Sequence, residues 1–533
     1  MDTENKERVT HSMKKGIVIG GGIAGLVAAI RLAAYGYEIT LLEKQKELGG
    51  RCRSFQLNSY FFDGEFVPVM MPEVIGEVYR EAGEEMDPDL RFIPLPVNSR
   101  HFFYNKTVID LSADPDYMME QLTAFSQEEQ NRFFDYLSEV QQMYEVIEDY
   151  VIRKPNRSWT DFFRNKAIWR GLKARPFESL DAFHRRYFKD HRLIAMMNRY
   201  ALYVGSSPYQ APAALAILSY LEMVHGLSYV EGGNRRLVEA LVRLAEKVGV
   251  MIHTSCEVEE ILVKEGQASG VKAGGEKWEA DFVISNVDVQ VTKKYFLGRK
   301  EDKPERMSSS GILWLLGVKQ SYPQLLHHNY FYPDDVGRQY IDIFEQQRWP
   351  ESPLIYVGNS SVSEPDRAPE GASNLTVMVP VPSGSRENME TYRERLLFLL
   401  DKVWGLKDLK DHIETEQIMG PAELEELTGA KGGALNGRAF HGFRSLIRPP
   451  MKDKKVQCLY YTGSTTYPGH GGVSASALSG LHVARILRDD HEYLMGLEEK
   501  RKAKQLKKEA RHASKIKTAD KAPVSSQQKG MND

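Results

Sequence analysis

Three glycines, one acid and one arginine near the start of the chain have the types and spacing needed to hold a pyrophosphate. Gly20, Gly22 and Gly25 form Gly-x-Gly-x-x-Gly, Glu43 closes the apolar run that follows, and Gly49-Gly50-Arg51 stands just behind it. Each has its own physical task. Gly20 permits a tight turn, Gly22 lets the backbone approach a phosphate because it has no Cβ, and Gly25 allows close helix packing. Ile23 and Ala24 open a helix whose N-terminus offers unpaired N–H groups and the positive end of its dipole. Glu43, about 20 residues on, is placed to accept hydrogen bonds from a ribose. Arg51 carries a planar fork suited to two phosphate oxygens. Together they predict a dinucleotide site. The competing readings are a glycine-rich turn in an ordinary α/β unit and, for Gly49-Gly50-Arg51, a surface turn with a solvated arginine.

Other residues with chemical capacity say less. Cys52, Cys256 and Cys458 are far apart, with no metal spacing and no disulfide framework, which fits a reducing cytosol. His327 and His328 lack an Asp, Glu or His at ligand spacing, so no metal site is expected and they read as packed or surface residues. His470 lies in the Pro/Gly-rich loop Tyr467-Pro468-Gly469-His470-Gly471-Gly472. Its imidazole titrates near neutrality, which makes it a candidate base against a structural alternative. No unique catalytic base is readable.

These residues need elements to place them. An apolar strand must run into Gly20, a small-residue helix must follow, and a second strand, Glu38 to Leu42, must deliver Glu43. A later segment has the same character. A turn at Val230 to Arg235 leads to a helix over Leu237 to Val248 and strands at Val250 to His253, Glu257 to Val263, Ser269 to Ala273 and Lys277 to Phe282. Val283-Ile284-Ser285-Asn286 then returns to the parallel sheet. Phe61 to Phe66 and Arg100 to Leu111 alternate as strands do. Asp114 to Tyr200 reads as a helical insert, with a capping box from Ser126 to Glu129 and an apolar stripe of Phe133, Leu137, Val140, Tyr144, Ile147 and Val151. Within it, Trp159 to Phe188 is rich in aromatic and basic residues. That pattern fits a helical core with a charged face, or an apolar surface touching lipid or a greasy substrate. Residues 310–420 read as mixed α/β, with strands at Gly311 to Val318, Leu354 to Val357 and Leu375 to Val379 and a helix at Glu390 to Val403. Cys458 to Gly463 ends as a strand, and Ser474 to Leu487 is a small-residue helix.

The chain has 533 residues, 42% hydrophobic and 27% charged, with a formal net charge of −3. That charge excludes a global field for nucleic acid. Residues 1–15 have no apolar core, so no signal peptide is expected. No run of about 18 apolar residues exists, so any membrane contact is expected to be peripheral. From Lys500 to Lys521 ten Lys and Arg face two acids. This basic end reads as solvated disorder or as an arm drawn to anionic lipid headgroups.

An acid closing the second strand, then Gly49-Gly50-Arg51, resembles the large family of FAD-binding amine oxidases and carotenoid desaturases. From about Lys14 to Leu487 the chain resembles the bacterial-type phytoene and dehydrosqualene desaturases. The stretches Tyr203 to Ala213, Tyr229 to Gly233 and Tyr322 to Asn329 are similar to the C30 branch, which includes oxidases of diaponeurosporene terminal methyl groups. The resemblance implies an α/β fold: a discontinuous Rossmann-like FAD-binding domain (14–111, 226–290 and 451–490), a helical, membrane-facing insert (112–225), a mixed α/β substrate domain (291–450) and a basic tail (491–533). It implies FAD, held by Gly20, Gly22, Ile23, Ala24, Gly25, Glu43, Lys44, Gly50, Arg51, Val258, Gly463 and Val473. It further implies a long apolar polyene substrate, desaturated or oxidised at its terminal methyl, and an enzyme at the inner face of the membrane, in a possible complex with other carotenoid enzymes. An amine oxidase-like enzyme and a non-catalytic flavin-binding partner are the alternatives. Two departures bear on the reaction outcome: Glu65-Phe66 stands where Gly-Pro is usual, and His470 interrupts the loop beside the flavin ring.

Overall fold

Strand β1, Lys15–Ile19, buries every residue after Lys15, as a strand covered on both faces must. Helix α1, Ile23–Ala34, buries nine of its twelve residues because it lies on the sheet and also packs against helices Glu73–Ala82 and Asn234–Lys247. Strand β2, Glu38–Leu42, pairs parallel with β1. The computed structural model describes residues 14–64, 69–155, 175–300, 306–434, 436–446, 448–469 and 472–519. It resolves into two units, Met1–Ala484 and Arg485–Asp533. The first holds both large sheets, and the second is helical to Ala519.

The cofactor-side sheet has five parallel strands in the order Leu459–Tyr461, Phe282–Ser285, β1, β2, Met251–His253. Its strands come from distant parts of the sequence, so the Rossmann-like unit is discontinuous. An antiparallel meander, Val258–Lys264, Gln267–Ala273 and Glu276–Glu279, shares a core with it through Ile261, Val271, Ile17, Ile19 and Leu42. The expected strand at Lys277 to Phe282 is divided. The meander ends at Glu279, and Phe282 already belongs to the parallel sheet.

A second sheet has seven strands in the order Ile413–Met419, Ser310–Val318, Ser373–Val381, Ile355–Asn359, His328–Tyr332, Ser99–Phe103, Val108–Leu111. One face is packed by Trp314, Leu316, Phe331, Val357 and Val377 against Tyr392, Leu396 and Leu400. Each such side chain contributes roughly 1.5–3 kcal/mol on burial. Arg100 to Leu111, expected as one strand and grouped above with the cofactor-binding part, is a hairpin of this second sheet. Its first strand pairs parallel with His328–Tyr332.

In the insert, helix Gln127–Ile147 is capped by Ser126, whose Oγ accepts Glu129 N–H at 3.3 Å. The box is only half formed. The Glu129 carboxylate turns away to accept the N–H groups of Lys189 and Asp190. Phe183 and Phe188 are fully buried, while Phe177 is 72% exposed, so the two readings of this aromatic segment each fit part of it. Trp159, Phe162, Phe163 and Trp169 lie outside the described residues. Among the described residues, no helix is long and apolar enough to cross a membrane.

Candidate active site

A cleft of about 630 Å³ opens where the parallel strands end, the position at which open α/β sheets bind ligands. Gly20, at φ +94°, turns the chain out of β1 through the left-handed region that favours glycine. Glu43 is 8% exposed. Its Oε2 accepts Gly21 N–H at 2.7 Å and its Oε1 accepts Gln45 N–H at 2.8 Å. The carboxylate therefore fastens the glycine loop and keeps lone pairs for a further donor. Gly49 N–H donates to Gly21 O at 2.8 Å, which lays the Gly49-Gly50 turn against the loop.

Gly20, Gly22, Ile23, Ala24, Glu43, Lys44, Gly50, Arg51, Val258 and Gly463 all line the cleft. Gly25 and Val473 do not. Gly25 sits beneath the loop, where a Cβ would stand 2.1 Å from Gly20 O. Val473 is buried in the first turn of the last helix, and Ser476, one turn further on, reaches the wall. Lys44 Nζ donates to Glu426 O at 3.3 Å. Glu65-Phe66 and His470 lie outside the described residues.

Asn286 is the residue that the glycine pattern does not reveal. Its Nδ2 donates to Gly20 O at 3.3 Å. A Cβ on Gly22 would come within 2.8 Å of Nδ2, and one on Gly463 within 2.6 Å of Oδ1. One side chain thus gauges three glycine walls. The available signal is its place at the end of the return strand. Asp288 is a second such residue. It lines the cleft and caps the N–H groups of Gln290 and Val291, and burial pushes its carboxyl up from the ordinary value.

Arg51 connects the cleft to the second sheet. Its Nη1 donates to Asn436 Oδ1 at 3.4 Å, and Asn436 Nδ2 donates to Tyr203 O at 3.3 Å. Asn436 and Tyr203 wall a small cavity with Arg199, Tyr330, Tyr356 and Met378. Behind it, Arg199 and Glu222 form an ion pair at 2.6 Å with side chains 1% and 0% exposed. A chain of buried hydroxyls serves that pair: Tyr330 to Tyr203 at 2.8 Å, Tyr203 to Glu222 at 3.3 Å, and Ser99 to Glu222 at 2.7 Å.

Tyr356 also walls a second cavity, of about 50 Å³, with Asp63, His327, His328 and Thr376. His328 Nδ1 meets Tyr356 OH at 2.8 Å, and His327 Nδ1 meets Ser363 Oγ at 2.7 Å. Burial, then the charge of Arg367, holds His327 down at about 4. Burial, then His327 and Arg199, holds His328 well below its ordinary value. Both imidazoles are therefore neutral near pH 7. Among the described residues no group of three or more His, Cys, Asp or Glu is placed to hold a metal ion.

Comparison with known proteins agrees with this geometry. The family described as flavin containing amine oxidoreductase matches residues 23–488. The 4,4'-diaponeurosporene oxygenase of Staphylococcus haemolyticus is 32% identical over 491 residues, covering 89% of this chain and 97% of that protein. The 1-hydroxycarotenoid 3,4-desaturase of a Flavobacterium species is 30% identical over 489 residues, covering 88% or more of both. An oxidoreductase from Methanosarcina mazei shares the fold, with a TM-score of 0.63 at 19% identity, covering 88% of this chain and 100% of that one.

Proposed function

The chain belongs to the flavin-containing amine oxidoreductase family, and from that premise we propose that it oxidises a long polyene of the carotenoid class. It is an FAD-dependent oxidoreductase. Desaturation of a C30, dehydrosqualene-type precursor is the first reading. Oxidation of a terminal methyl is the second, favoured by the likeness to the diaponeurosporene oxygenase.

The residues present fit FAD. The cleft is within the usual ligand range of roughly 300–1,000 Å³, and its floor is backbone that a Cβ on Gly22 or Gly463 would obstruct. In this proposal the pyrophosphate lies on the N-terminus of α1, beside Gly22, Ile23, Ala24, Gly50 and Arg51. Glu43 accepts from the ribose, Val258 and Lys44 flank the adenosine, and Gly463 lies toward the ring. Gly25 and Val473 act from beneath the wall. Bound FAD supplies the two-electron acceptor. The chain's task is to orient the polyene, exclude water and take a proton.

The observation that carries the reading is the join at Arg51 and Asn436. It places an aromatic and apolar cavity directly beside the cofactor cleft. Arg199 is the charged side chain among the residues lining that cavity. An ammonium substrate would meet a guanidinium there, which disfavours the amine-oxidase reading. The polyene partitions into bilayer, so the proposal includes peripheral contact with the inner membrane face. Transfer of so insoluble a compound favours a complex with other carotenoid enzymes. The test is expression in cells making C30 polyenes, followed by pigment chromatography. The expected result is loss of a precursor and gain of a more conjugated or oxygenated product. Unchanged pigments in cells that contain FAD-loaded protein refute the reading.

A further inference from the structure

The cavity behind Asn436 measures about 40 Å³. Such space holds one water per roughly 10–15 Å³, so it takes a terminal group of two or three heavy atoms. Its walls are mainly Leu202, Tyr203, Tyr330, Leu354, Tyr356 and Met378. Two polar residues interrupt them. Arg199 and Ser310 line the cavity and are each 1% exposed. Arg199 Nε and Ser310 Oγ are buried without a hydrogen-bond partner. Unpaired buried donors are costly, and two lining one cavity form a recognition element in search of an acceptor.

The rest of Arg199 is fully engaged. Nη1 donates to Met196 O at 2.9 Å, and Nη2 donates to both Glu222 oxygens at 2.6 Å. The guanidinium carbon lies 4.2 Å from the Tyr200 ring centre and 5.0 Å from that of Tyr330. Glu222 answers the positive charge, so the pair is neutral as a unit. A carboxylate in this apolar space would bring a charge with no counter-ion. A carbonyl or hydroxyl oxygen brings only the missing acceptor.

We infer that this cavity binds a neutral, oxygen-bearing end of the polyene, an aldehyde or alcohol, through Arg199 Nε and Ser310 Oγ. The inference rests on the polyene reading above and narrows its substrate class. Asn436 joins the cavity to Arg51, so an end group held there lies close to the cofactor cleft.

The test uses the FAD-loaded protein and three C30 polyenes of equal length, ending in hydrocarbon, aldehyde or carboxylate, presented in neutral phosphatidylcholine vesicles. Affinity is read from perturbation of the flavin spectrum and turnover from anaerobic bleaching. The aldehyde should bind about tenfold or more tighter than the hydrocarbon, one good hydrogen bond being worth up to about that factor. The carboxylate should bind more weakly than the aldehyde. Arg199→Lys keeps a cation for Glu222 but has no Nε, and Ser310→Ala removes Oγ. Each should cut the aldehyde-to-hydrocarbon ratio about three- to tenfold, and Ser310→Ala carries the test if Arg199→Lys does not fold. Equal affinity for aldehyde and hydrocarbon, with both bleaching the flavin, means that the two atoms hold water. That result overturns the inference and leaves the polyene reading standing. A preference retained in the variants overturns it as well. If no polyene binds or bleaches the flavin, the polyene reading falls and this inference with it.

Discussion

Gly22 and Gly25 share one motif, yet their replacement should fail for different reasons. A Cβ on Gly25 would lie 2.1 Å from Gly20 O. That neighbour is backbone of the loop itself, so α1 or the turn must shift. Overpacking of this kind costs about 1–3 kcal/mol. A Cβ on Gly22 meets instead the Asn286 side chain, with Nδ2 at 2.8 Å. Asn286 can turn aside at the loss of its 3.3 Å bond to Gly20 O, roughly 0.5–1.5 kcal/mol. The substituent then occupies the face that the pyrophosphate must approach. Gly25→Ala should therefore lower thermal stability by a few degrees and lose flavin only in proportion. Gly22→Val should stay folded and lose nearly all flavin. The assay is the flavin-to-protein absorbance ratio after gel filtration, beside circular dichroism and urea unfolding without added FAD, because bound ligand itself raises stability. A folded Gly22→Val protein with full flavin absorbance would refute the reasoning, and with it the placement of the pyrophosphate.

Glu222→Gln leaves the buried Arg199 without its counter-ion and should destabilise the protein by about 3–5 kcal/mol, read from the urea midpoint; adding Arg199→Met should recover part of the loss. His184 is held down at about 4 by burial, against its bond to Asn198 and the charge of Asp181, and His327 is also held at about 4. These lowered values favour the neutral form, so the stability they confer is complete above the unfolded value of about 6.5 and is lost as pH falls toward 4. Each group should contribute up to about 1.4 kcal/mol per pH unit in that window. Denaturation midpoints at pH 7, 6 and 5 should fall accordingly, and His327→Gln should flatten the slope. Deleting residues 498–533 should weaken binding to anionic liposomes at low salt, at about 1 kcal/mol per basic residue near the surface, without changing flavin content. Equal binding by the truncated protein would assign the contact to the insert.

The cofactor cleft was legible because its main parts are local. Gly20, Gly22, Gly25, Glu43, Gly50 and Arg51 lie within one βαβ unit, where spacing alone implies position. Asn286 and Asn436 were not legible as site residues. Each reaches Gly20 or Arg51 across more than two hundred residues, and no local pattern encodes such a contact. The same holds for Arg199 and Glu222, whose value comes from burial that a helical pattern does not disclose. The capping box at Ser126 was half right because Glu129 found better donors at Lys189 and Asp190. The hairpin at Ser99 to Leu111 alternates as a strand should, but periodicity does not say which sheet accepts it. It joined the second sheet because His328–Tyr332 offered a free edge there.

The central claim is tested most directly by anaerobic mixing of the FAD-loaded protein with a C30 polyene in vesicles and, separately, with a soluble primary amine such as putrescine. The account predicts that the polyene bleaches the flavin and emerges with longer conjugation or an oxygenated end, while the amine leaves the spectrum unchanged. Bleaching by the amine with the polyene inert would contradict it.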